Sequence, residues 1–590
     1  MASDQSHHLL GQETELAIRF QERNGDHPGN KVIFDYMARA IKSIVKTKPG
    51  KRNFIQDQFF VQNGGAVYYE HHPQSLRRGL IESATPECHS AHELILYQRA
   101  QEALLIKALP MAQKMMSYDG YEGELSLLKN CRDYEGNTYG SQENYDSFVA
   151  EGWRWYMLIA CLLAYVPFAL VLKLVYLTLL VPFVMIIFTS KVFIELLLAI
   201  SSLGPLEKVL NRIKAGSSWR TFLQSGILRF DFEAEDTEET LLKVEYSLFY
   251  PLFWISYKPL IMLYNQFAFG PQRQAIHSHV ISRIIFTGAG SLIENDRFIL
   301  SEKSLAINCF LRRSIHRNDK PLFDCGNLIK EYELALWELF LLRVHSWATL
   351  FKREQRLQIA FSDSNRCHFS EFLKVGSTSL VVRLANDGFL NDAPEFLEPI
   401  KALGEVSRDI DLKQTYPMKD GSTMNAIEIQ QWYCQRAKEY LQTGPVNIED
   451  HEVVRLWEQT LATLQRDPAA LLGRVDWITK QYLLSTSGEE LDYWGRKKID
   501  LKYHELGDGY FEILQSRGLT LDLFSDEDVE RAIYEPSSSR RAKVRSRLIK
   551  SIALENHPMT ISWSQAKIGR WNPKVISLSD YRKTKEIEEA

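Results

Sequence analysis

A long hydrophobic block in the middle of the chain most constrains its fold. The block runs from Trp155 to Leu203, and charge interrupts it only at Lys173, Lys191 and Glu195. Because a membrane-spanning helix needs about 20 mostly apolar residues, the block has room for two. We therefore predict a transmembrane helical hairpin at about 154–203, with helices at roughly 154–176 and 178–200. A large buried hairpin in a soluble core is the alternative that run length leaves open.

The segments after the block predict its orientation. The basic residues that follow it are Lys208, Arg212, Lys214 and Arg220. By the positive-inside tendency this flank lies in the cytoplasm, and two crossings return the chain to the side that it left. An aromatic stretch at about 246–268 is expected to lie at the membrane interface or to serve as a docking helix. We thus predict a membrane insertion at 151–275 and a multi-pass protein whose remaining parts are cytoplasmic.

Overall composition restricts the classes of partner. A charged fraction of 24% and a formal net charge of -4 give no reason to expect nucleic-acid binding. The seven cysteines include no CxxC pair, which is typical of reduced thiols in a reducing compartment. We therefore expect a lipid bilayer, and no nucleic acid, among the partners.

Acidic side chains are concentrated in two strand-like stretches. Glu13 and Glu15 alternate in GQETELAI, so both fall on one face of a strand. Tyr68 and Glu70 share a face in AVYYE by the same period of two, and Glu82 follows after a loop. Such hard oxygen ligands suit Mg²⁺, which takes its remaining ligands from water and nucleotide phosphates during phosphoryl transfer. Solvated acids on amphipathic strands are the alternative that spacing leaves open.

Nine motifs occur in the order found in a known family. They are LLGQETELAI, NGGAVYYE…IESATPEC, LLKNCRDYEGNTYGSQENY, IIFTGAG, RLQIAFSDSN, FLKVGSTSLVVRL, RVDWITK, IDLKYHEL and DEDVERAIYEP. In these motifs, which cover about 9–150 and 278–550, the chain resembles the proteasome accessory family. This family comprises the Pup ligase and the Pup deamidase (depupylase), and it is related to glutamine synthetase and carboxylate–amine ligases.

The resemblance implies an α+β fold of the glutamine-synthetase type. A curved antiparallel sheet flanked by helices would hold ATP and Mg²⁺ on its concave face, followed by a small C-terminal domain. The implied catalytic domain comprises 1–150 and 276–465, the C-terminal domain 466–560 and a tail 561–590. The implied activity is ATP-dependent activation of the C-terminal glutamate of a small Pup-like protein modifier, for isopeptide bond formation with a substrate lysine. Because the insertion would hold the catalytic domain at the bilayer, the substrates are expected to include membrane proteins.

The family's site residues carry over onto positions of this chain. The metal ligands would be Glu13, Tyr68 and Glu82, and the nucleotide contacts would be Thr85, Trp477 and Lys303. Lys303 replaces a family arginine, keeping the charge but losing the bidentate fork. Glu70 falls at the position of the family's aspartate. That aspartate is the base that deprotonates the incoming lysine in a ligase or assists amide cleavage in a deamidase.

Other positions depart from the family's pattern. Histidines are replaced by Gln142 and Gln358, arginines by Ala66 and Gly326, and a glutamate by His368. Losing two arginines weakens the expected stabilisation of the γ-phosphate. A membrane-tethered pseudoenzyme or binding protein therefore stays open beside the ligase, as does a depupylase-like hydrolase. Arg540 and Arg541 are interpreted as surface charges, with contact to the modifier or substrate as the alternative.

Overall fold

The computed structural model describes most of the chain. The described residues are 8–23, 27–50, 56–72, 75–132, 138–201, 235–314, 319–340, 345–443, 447–487, 491–551, 557–569 and 573–578. They form an α+β fold in which a large sheet is flanked by helices, as the resemblance implies. The basic residues at 208–220, used above to orient the block, lie outside the described residues.

The described residues contain seventeen strands, and ten of them form one mixed sheet. The strands are β1 Leu10–Glu22, β2 Thr47–Pro49, β3 Gln56–Val61, β4 Ala66–His72, β5 Ser75–Ala84, β6 Gly123–Leu128, β7 Ser141–Phe148, β8 Ser291–Ile293, β9 Arg297–Ile299, β10 Cys309–Leu311, β11 Pro321–Asp324, β12 Glu354–Ile359, β13 Thr415–Pro417, β14 Thr423–Asn425, β15 Met559–Ile561, β16 Gln565–Ile568 and β17 Lys574–Ser577. The order in the sheet is β10-β11-β12-β7-β1-β5-β4-β3-β2, and β6 pairs with the second half of β1. The prediction of a purely antiparallel sheet is wrong, because β10 and β11 run parallel.

The helices account for most of the remaining described chain. They are α1 Asn30–Ile44, α2 Ala91–Tyr118, α3 Gly152–Ser201, α4 Glu235–Phe267, α5 Gly270–Ser282, α6 Ile284–Thr287, α7 Lys303–Ala306, α8 Gly326–Phe340, α9 His345–Leu350, α10 His368–Asn386, α11 Pro399–Arg408, α12 Ala426–Leu441, α13 Ile448–Arg466, α14 Asp476–Ser487, α15 Tyr493–Lys502, α16 Tyr510–Ser516, α17 Asp526–Tyr534 and α18 Arg540–Lys550. Cap residues predict some of these ends: Ser90 accepts a hydrogen bond from the amide of Glu93 (3.1 Å) at the start of α2.

The two faces of the sheet differ because the side chains of β1 alternate. Leu10 and Leu16 point to the buried face, where they join a hydrophobic core that also contains Leu94 of α2 and Phe372 of α10. Glu13 and Glu15 are only partly buried and point to the opposite face. The sheet is thus closed by helices on one side, and its other side carries the acidic residues.

The hydrophobic block forms one continuous helix, so the predicted transmembrane hairpin at 154–203 with two spans is wrong. Helix α3 is 50 residues long, and Pro167 and Pro182 lie inside it without ending it. Its Trp155 and Leu162 are buried and belong to the same hydrophobic core as the central sheet. The hydropathy of the block does not show whether it forms one helix or two. Proline does not settle this either, because a helix tolerates it when neighbouring groups satisfy the backbone carbonyl that it leaves unpaired.

An ion pair of Lys173 connects α3 to the rest of the protein. Its ammonium pairs with Glu333 of α8 and lies 4.7 Å from the ring centroid of Trp337. Helix α8 lies between two strands of the central sheet, β11 and β12, so this contact attaches the middle of α3 to the part of the protein that carries the sheet. Among the described residues, the helix Gly152–Pro182 is the one that is long and apolar enough to cross a membrane, judged by length and composition.

The predicted interfacial segment 246–268 belongs to α4, which packs beside α3. The rings of Tyr176 and Phe249 meet with centroids 5.1 Å apart. Leu260 and Tyr264 are buried, whereas Trp254 and Met262 remain exposed. This segment therefore uses one face for docking onto the protein and leaves an apolar face uncovered.

The end of the chain covers part of the open face of the sheet. A second hydrophobic core joins Phe60, Ala66 and Tyr68 of the sheet to residues of α18 and of the small sheet β15-β16-β17. Strands β16 and β17 lie in the segment predicted as a tail, 561–590. Helix α18 and its neighbours thus form a wall at one end of the acidic side.

Candidate active site

The acidic residues are brought together by strand register. Glu15 of β1 lies opposite Glu82 of β5, and Glu82 lies opposite Tyr68 of β4. Glu13 lies two residues before Glu15 on β1, and Glu70 lies two residues after Tyr68 on β4, so both point to the same side of the sheet. Neighbouring strands are about 4.8 Å apart. We call the side of the sheet that carries these five residues the acid-lined face. The period of two correctly predicts that Glu13 shares a face with Glu15, and Tyr68 with Glu70.

Negative charge dominates the acid-lined face. Burial, reinforced by Glu13, Glu70 and Glu15, raises the pKa of Glu82 well above its usual value. Burial and the charge of Glu15 raise the pKa of Glu70 to about 7, while Lys330 and Lys303 oppose this shift. The carboxylates therefore lack enough positive charge nearby, which a bound cation would supply.

Amides connect the acid-lined face to the neighbouring strands. Asn327 of α8 donates to Gln358 of β12, and Gln358 donates to Gln142 of β7. Gln142 donates to Glu15 over 3.3 Å. The two glutamines that replace family histidines are therefore in contact with each other, which their separation in the sequence does not reveal.

The predicted metal ligands have the oxygen donors that a hard cation prefers, but in this structure they do not converge into a closed coordination site. Carboxylate oxygens of Glu13 and Glu82 are the donors that Mg²⁺ prefers. Glu13 is paired with Arg356 (3.2 Å), and the phenol of Tyr68 accepts a hydrogen bond from the indole of Trp563 (2.8 Å). Burial raises the pKa of Tyr68, so that the phenol is a neutral donor. Within the described ranges, no three His, Cys, Asp or Glu side chains converge closely enough to hold a metal.

A cavity of about 120 Å³, open to solvent, adjoins the acid-lined face. Two predicted site residues, Glu13 and Thr85, line it. Its further lining residues include Gly11, Glu87, Asp146, Arg356, Arg541 and Trp563. Thr85 is fixed at the end of β5, since its hydroxyl accepts from the amide of Gln12 (3.1 Å). The cavity thus lies between the sheet and the wall formed by the end of the chain.

The other two predicted nucleotide contacts lie elsewhere. Trp477 is 2% exposed, and its indole donates to the carbonyl of Ile285 (2.9 Å), so its ring offers no open face to a base in this structure. Lys303 is buried and donates to the carbonyl of Ser141 (2.9 Å). A Cβ at Gly140 would lie 2.4 Å from the Cδ of Lys303, so this position needs a glycine. Lys303 therefore reaches the acid-lined face from its edge, whereas Trp477 belongs to the core.

Cations supplied by distant parts of the chain were missed by the sequence analysis. Lys330 follows Asn327 by one helical turn on α8 and opposes the raised pKa values of Glu70 and Glu82. Gly326, which occupies the place of a family arginine, begins the same helix. Arg356 and Arg541 line the cavity. A basic residue one turn after the lost arginine was the available signal for Lys330.

A sheet with an acid-lined face and an adjoining cavity on one side, and helices on the other, is the α+β arrangement that the resemblance implies for a ligase. The chain belongs to the Pup-ligase protein family, whose sequence model matches residues 8–567. This family membership and the α+β fold confirm the resemblance.

Individual relatives are similar to the chain to different extents. The Pup--protein ligase of Acidimicrobium ferrooxidans is 23% identical over 581 residues, which is 97% of this chain and 95% of the relative. The Pup--protein ligase of Corynebacterium diphtheriae is 33% identical over 243 residues, which covers 39% of this chain and 51% of the relative. That second alignment therefore spans about half the length of the relative.

Two solved structures share the fold. The crystal structure of the complex between Prokaryotic Ubiquitin-like Protein Pup and its ligase PafA matches with a TM-score of 0.63 and 19% identity, over 99% of this chain and 92% of that one. The structure of the Pup ligase PafA in complex with ADP matches with a TM-score of 0.59 and 19% identity, over 96% and 94%. At this identity the similarity shows a common fold.

Proposed function

We propose that the protein is an ATP-dependent ligase that joins the C-terminal glutamate of a small Pup-like modifier to a lysine of a substrate protein. The observation that carries the proposal is the register of Glu15, Glu82 and Tyr68 across three adjacent strands, with Glu13 and Glu70 on the same face. Membership of the Pup-ligase family and the likeness to an ADP-bound ligase support it.

The metal and nucleotide would share the acid-lined face and the cavity. Glu13 and Glu82 would hold Mg²⁺, with Tyr68 as a neutral oxygen donor; when bound, the ion neutralises phosphate charge. Thr85 would contact the nucleotide at the cavity wall, since its backbone is fixed against Gln12. Lys303 and Lys330 would attract the phosphate and the modifier's carboxylate from the opposite edge.

Glu70 would act as the general base. A carboxylate with a pKa of about 7 accepts a proton efficiently near neutral pH. Glu70 would take a proton from the substrate amine, leaving a lone pair to attack the activated carboxyl carbon of the modifier. The C–N bond forms as the bond between the carboxyl carbon and the activating group breaks. The activating group leaves with the second amine proton, and the first proton stays on Glu70.

A calorimetric titration with Mg-ATP, followed by a conjugation assay, tests this proposal. We expect wild-type protein to bind Mg-ATP and the Glu13→Ala, Glu82→Ala double variant to lose binding. Mass spectrometry should then detect an isopeptide bond between Pup ending in glutamate and a lysine-containing protein. Absence of binding by folded wild-type protein would favour a pseudoenzyme. Hydrolysis of a modifier ending in glutamine without ligation would favour a depupylase-like enzyme.

We also propose that α3 holds the protein at a lipid bilayer, with substrates that include membrane proteins. Its outward side chains include Tyr156, Leu163, Phe168, Val171 and Leu174, all exposed. From residue 155 to 182 the sequence contains one charged residue, and this lysine is turned toward α8. A surface helix normally carries polar residues outward, so this face suits hydrocarbon better than water.

Liposome flotation of the full-length protein tests the bilayer contact. We expect the wild type to float with vesicles and the variant Leu163→Ser, Val171→Ser, Leu174→Ser to stay behind. Ile448→Ser serves as the control, because Ile448 is 90% exposed on a different helix. If the wild type forms soluble oligomers that do not float, the apolar face covers a second copy of the chain and the bilayer proposal fails.

A further inference from the structure

We infer that Arg541 binds a nucleotide phosphate in the cavity, so that the end of the chain contributes directly to the nucleotide site. This inference rests on the proposed ligase function. It concerns a residue that neither the period-two pattern nor the carried-over family positions had placed in the site.

The cavity is built from two parts of the chain that are far apart in sequence. Gly11 and Glu13 of β1 and Thr85 after β5 form one wall. Arg541 of α18 and Trp563, which follows β15, form the other. Anything that fills this space touches both the acid-lined face and the end of the chain.

Arg545 positions α18 through hydrogen bonds from both of its terminal nitrogens. Its guanidinium donates to both carboxylate oxygens of Glu87 (2.9 Å each) and to the carbonyls of Gly64 and Trp563. Burial by itself would raise the pKa of Glu87. The charge and hydrogen bonds of Arg545 outweigh this effect and keep the pKa of Glu87 below its usual value. Arg545 therefore fixes the helix against the sheet, and it is fully buried, away from any ligand in the cavity.

Arg541 lies one turn earlier on the same side of the helix and differs in this respect. It is half-buried at the cavity, and among the described residues its guanidinium forms no hydrogen bond or ion pair. The nearby carboxylates already have partners: Glu87 is held by Arg545, Glu13 by Arg356, and Asp146 accepts from the amide of Leu9 (3.3 Å). The charge of Arg541 favours the ionised forms of Asp146 and Glu87 but, among the described residues, it donates a hydrogen bond to neither. Its N–H donors are therefore available to a ligand in the cavity.

The chemistry of the cavity favours a phosphate as the missing acceptor. A planar guanidinium binds phosphate oxygens through two parallel hydrogen bonds. The opposite wall carries Glu13, a proposed magnesium ligand, and Thr85, a proposed nucleotide contact, so a metal-bound phosphate would lie within the same space. A carboxylate of the modifier offers the same oxygen geometry and is the competing source.

Titration of Mg-ADP into the full-length protein in the absence of any modifier tests the inference. We expect Arg541→Ala to weaken Mg-ADP binding about tenfold, which corresponds to the loss of one charged hydrogen-bonding group. Arg541→Lys should lose less, because it keeps the charge. Arg540→Ala is the matched control, since it removes an identical charge from the adjacent position of α18. Adenosine, which has no phosphate, should bind all three variants and the wild type equally.

The outcomes separate this inference from the proposed function. If the wild type binds Mg-ADP and Arg541→Ala binds equally well, Arg541 does not contact the phosphate and the inference fails alone. If Arg541→Ala raises the KM for the modifier without changing Mg-ADP affinity, its partner is the modifier's carboxylate and the inference is again overturned. If the wild type binds no nucleotide, both statements fail. Arg541→Lys keeps the test valid should the alanine variant unfold.

Discussion

Gln358 of β12 donates a hydrogen bond to Gln142 of β7, at two positions where the related family has histidines. Gln142 passes the contact on by donating to Glu15. An amide donates at every pH, whereas an imidazole does so in a way that depends on its protonation. The paired replacement therefore preserves a hydrogen-bonded support for the acid-lined face after both histidines have been lost.

Replacing Gln142, which links Gln358 to Glu15 by hydrogen bonds, should weaken the fold. We expect Gln142→Leu to lower the free energy of unfolding by about 1 to 3 kcal/mol, because Glu15 and Gln358 each lose a partner in a partly buried place. Urea unfolding measures the difference. Gln21→Leu, at an exposed position of β1, is the control and should be nearly neutral. Equal stability of Gln142→Leu and the wild type would show that these amides do not support the sheet.

Glu70 should be required for conjugation and dispensable for nucleotide binding. We expect Glu70→Gln to slow conjugation about a hundredfold or more, because the amide cannot accept a proton from the lysine. Glu70→Asp should retain measurable activity, since it restores the side chain that the family has here. Single-turnover conjugation and Mg-ATP calorimetry on the same preparations separate the two effects. Full activity of Glu70→Gln would assign the base elsewhere.

Lys330 should supply part of the charge that the lost arginines no longer provide. We expect Lys330→Ala to lower kcat/KM about tenfold, because its ammonium opposes the negative charge around Glu70 and Glu82. Lys330→Arg should recover much of this loss. Lys401→Ala, which removes an exposed lysine on α11, is the matched control. Steady-state conjugation kinetics would assign Lys330 no role if all three variants matched the wild type.

The ion pair between Arg283 and Glu143 should be a sensitive point of the core. Both side chains are 1% exposed, and the guanidinium donates to both carboxylate oxygens (2.9 and 2.6 Å). We expect Arg283→Met to lower the free energy of unfolding by about 3 to 5 kcal/mol, because it leaves Glu143 charged and buried. The double variant Arg283→Met, Glu143→Gln should recover part of the loss. Chemical denaturation that found the double variant less stable than the single one would refute this account.

Buried histidines should make the protein sensitive to mild acid. Burial lowers the pKa of His277 to about 4, below the usual 6.5. Between these values the unfolded chain binds a proton and the folded one does not, so stability falls as the pH drops from about 6.5 to 4, by about 3 kcal/mol for this group. Unfolding measured at several pH values should show a shallower dependence for His277→Gln. Identical pH profiles would mean that His277 does not titrate on unfolding.

Local pattern was enough to predict the central part of the site. Alternation placed Glu13 and Glu15 on one side of β1, and the same period placed Tyr68 beside Glu70 on β4. Helix capping is equally local: Ser525 accepts a hydrogen bond from the amide of Asp528 (3.2 Å) at the start of α17. These features depend on neighbours within a few residues, which a sequence displays directly.

Long-range contacts were beyond the reach of such patterns. The partner of Lys173 is Glu333, 160 positions away, and this pair connects α3 to α8. Hydropathy reports how apolar a run is and cannot tell whether lipid or protein covers it. Arg541 entered the site for a similar reason: its position depends on how Arg545 docks α18 onto the sheet.

The junction between β7 and α3 has a mechanical consequence. Three residues separate the end of β7 from the start of α3. The first of them, Val149, donates its amide to the carbonyl of Arg353 (2.8 Å) and accepts from the amide of Phe269 at its carbonyl (2.5 Å). Because α3 extends for about 75 Å, it is a lever with its fulcrum at the strand that carries Gln142. A load on the far end of α3 would therefore be transmitted to β7, and through β7 to the acid-lined face.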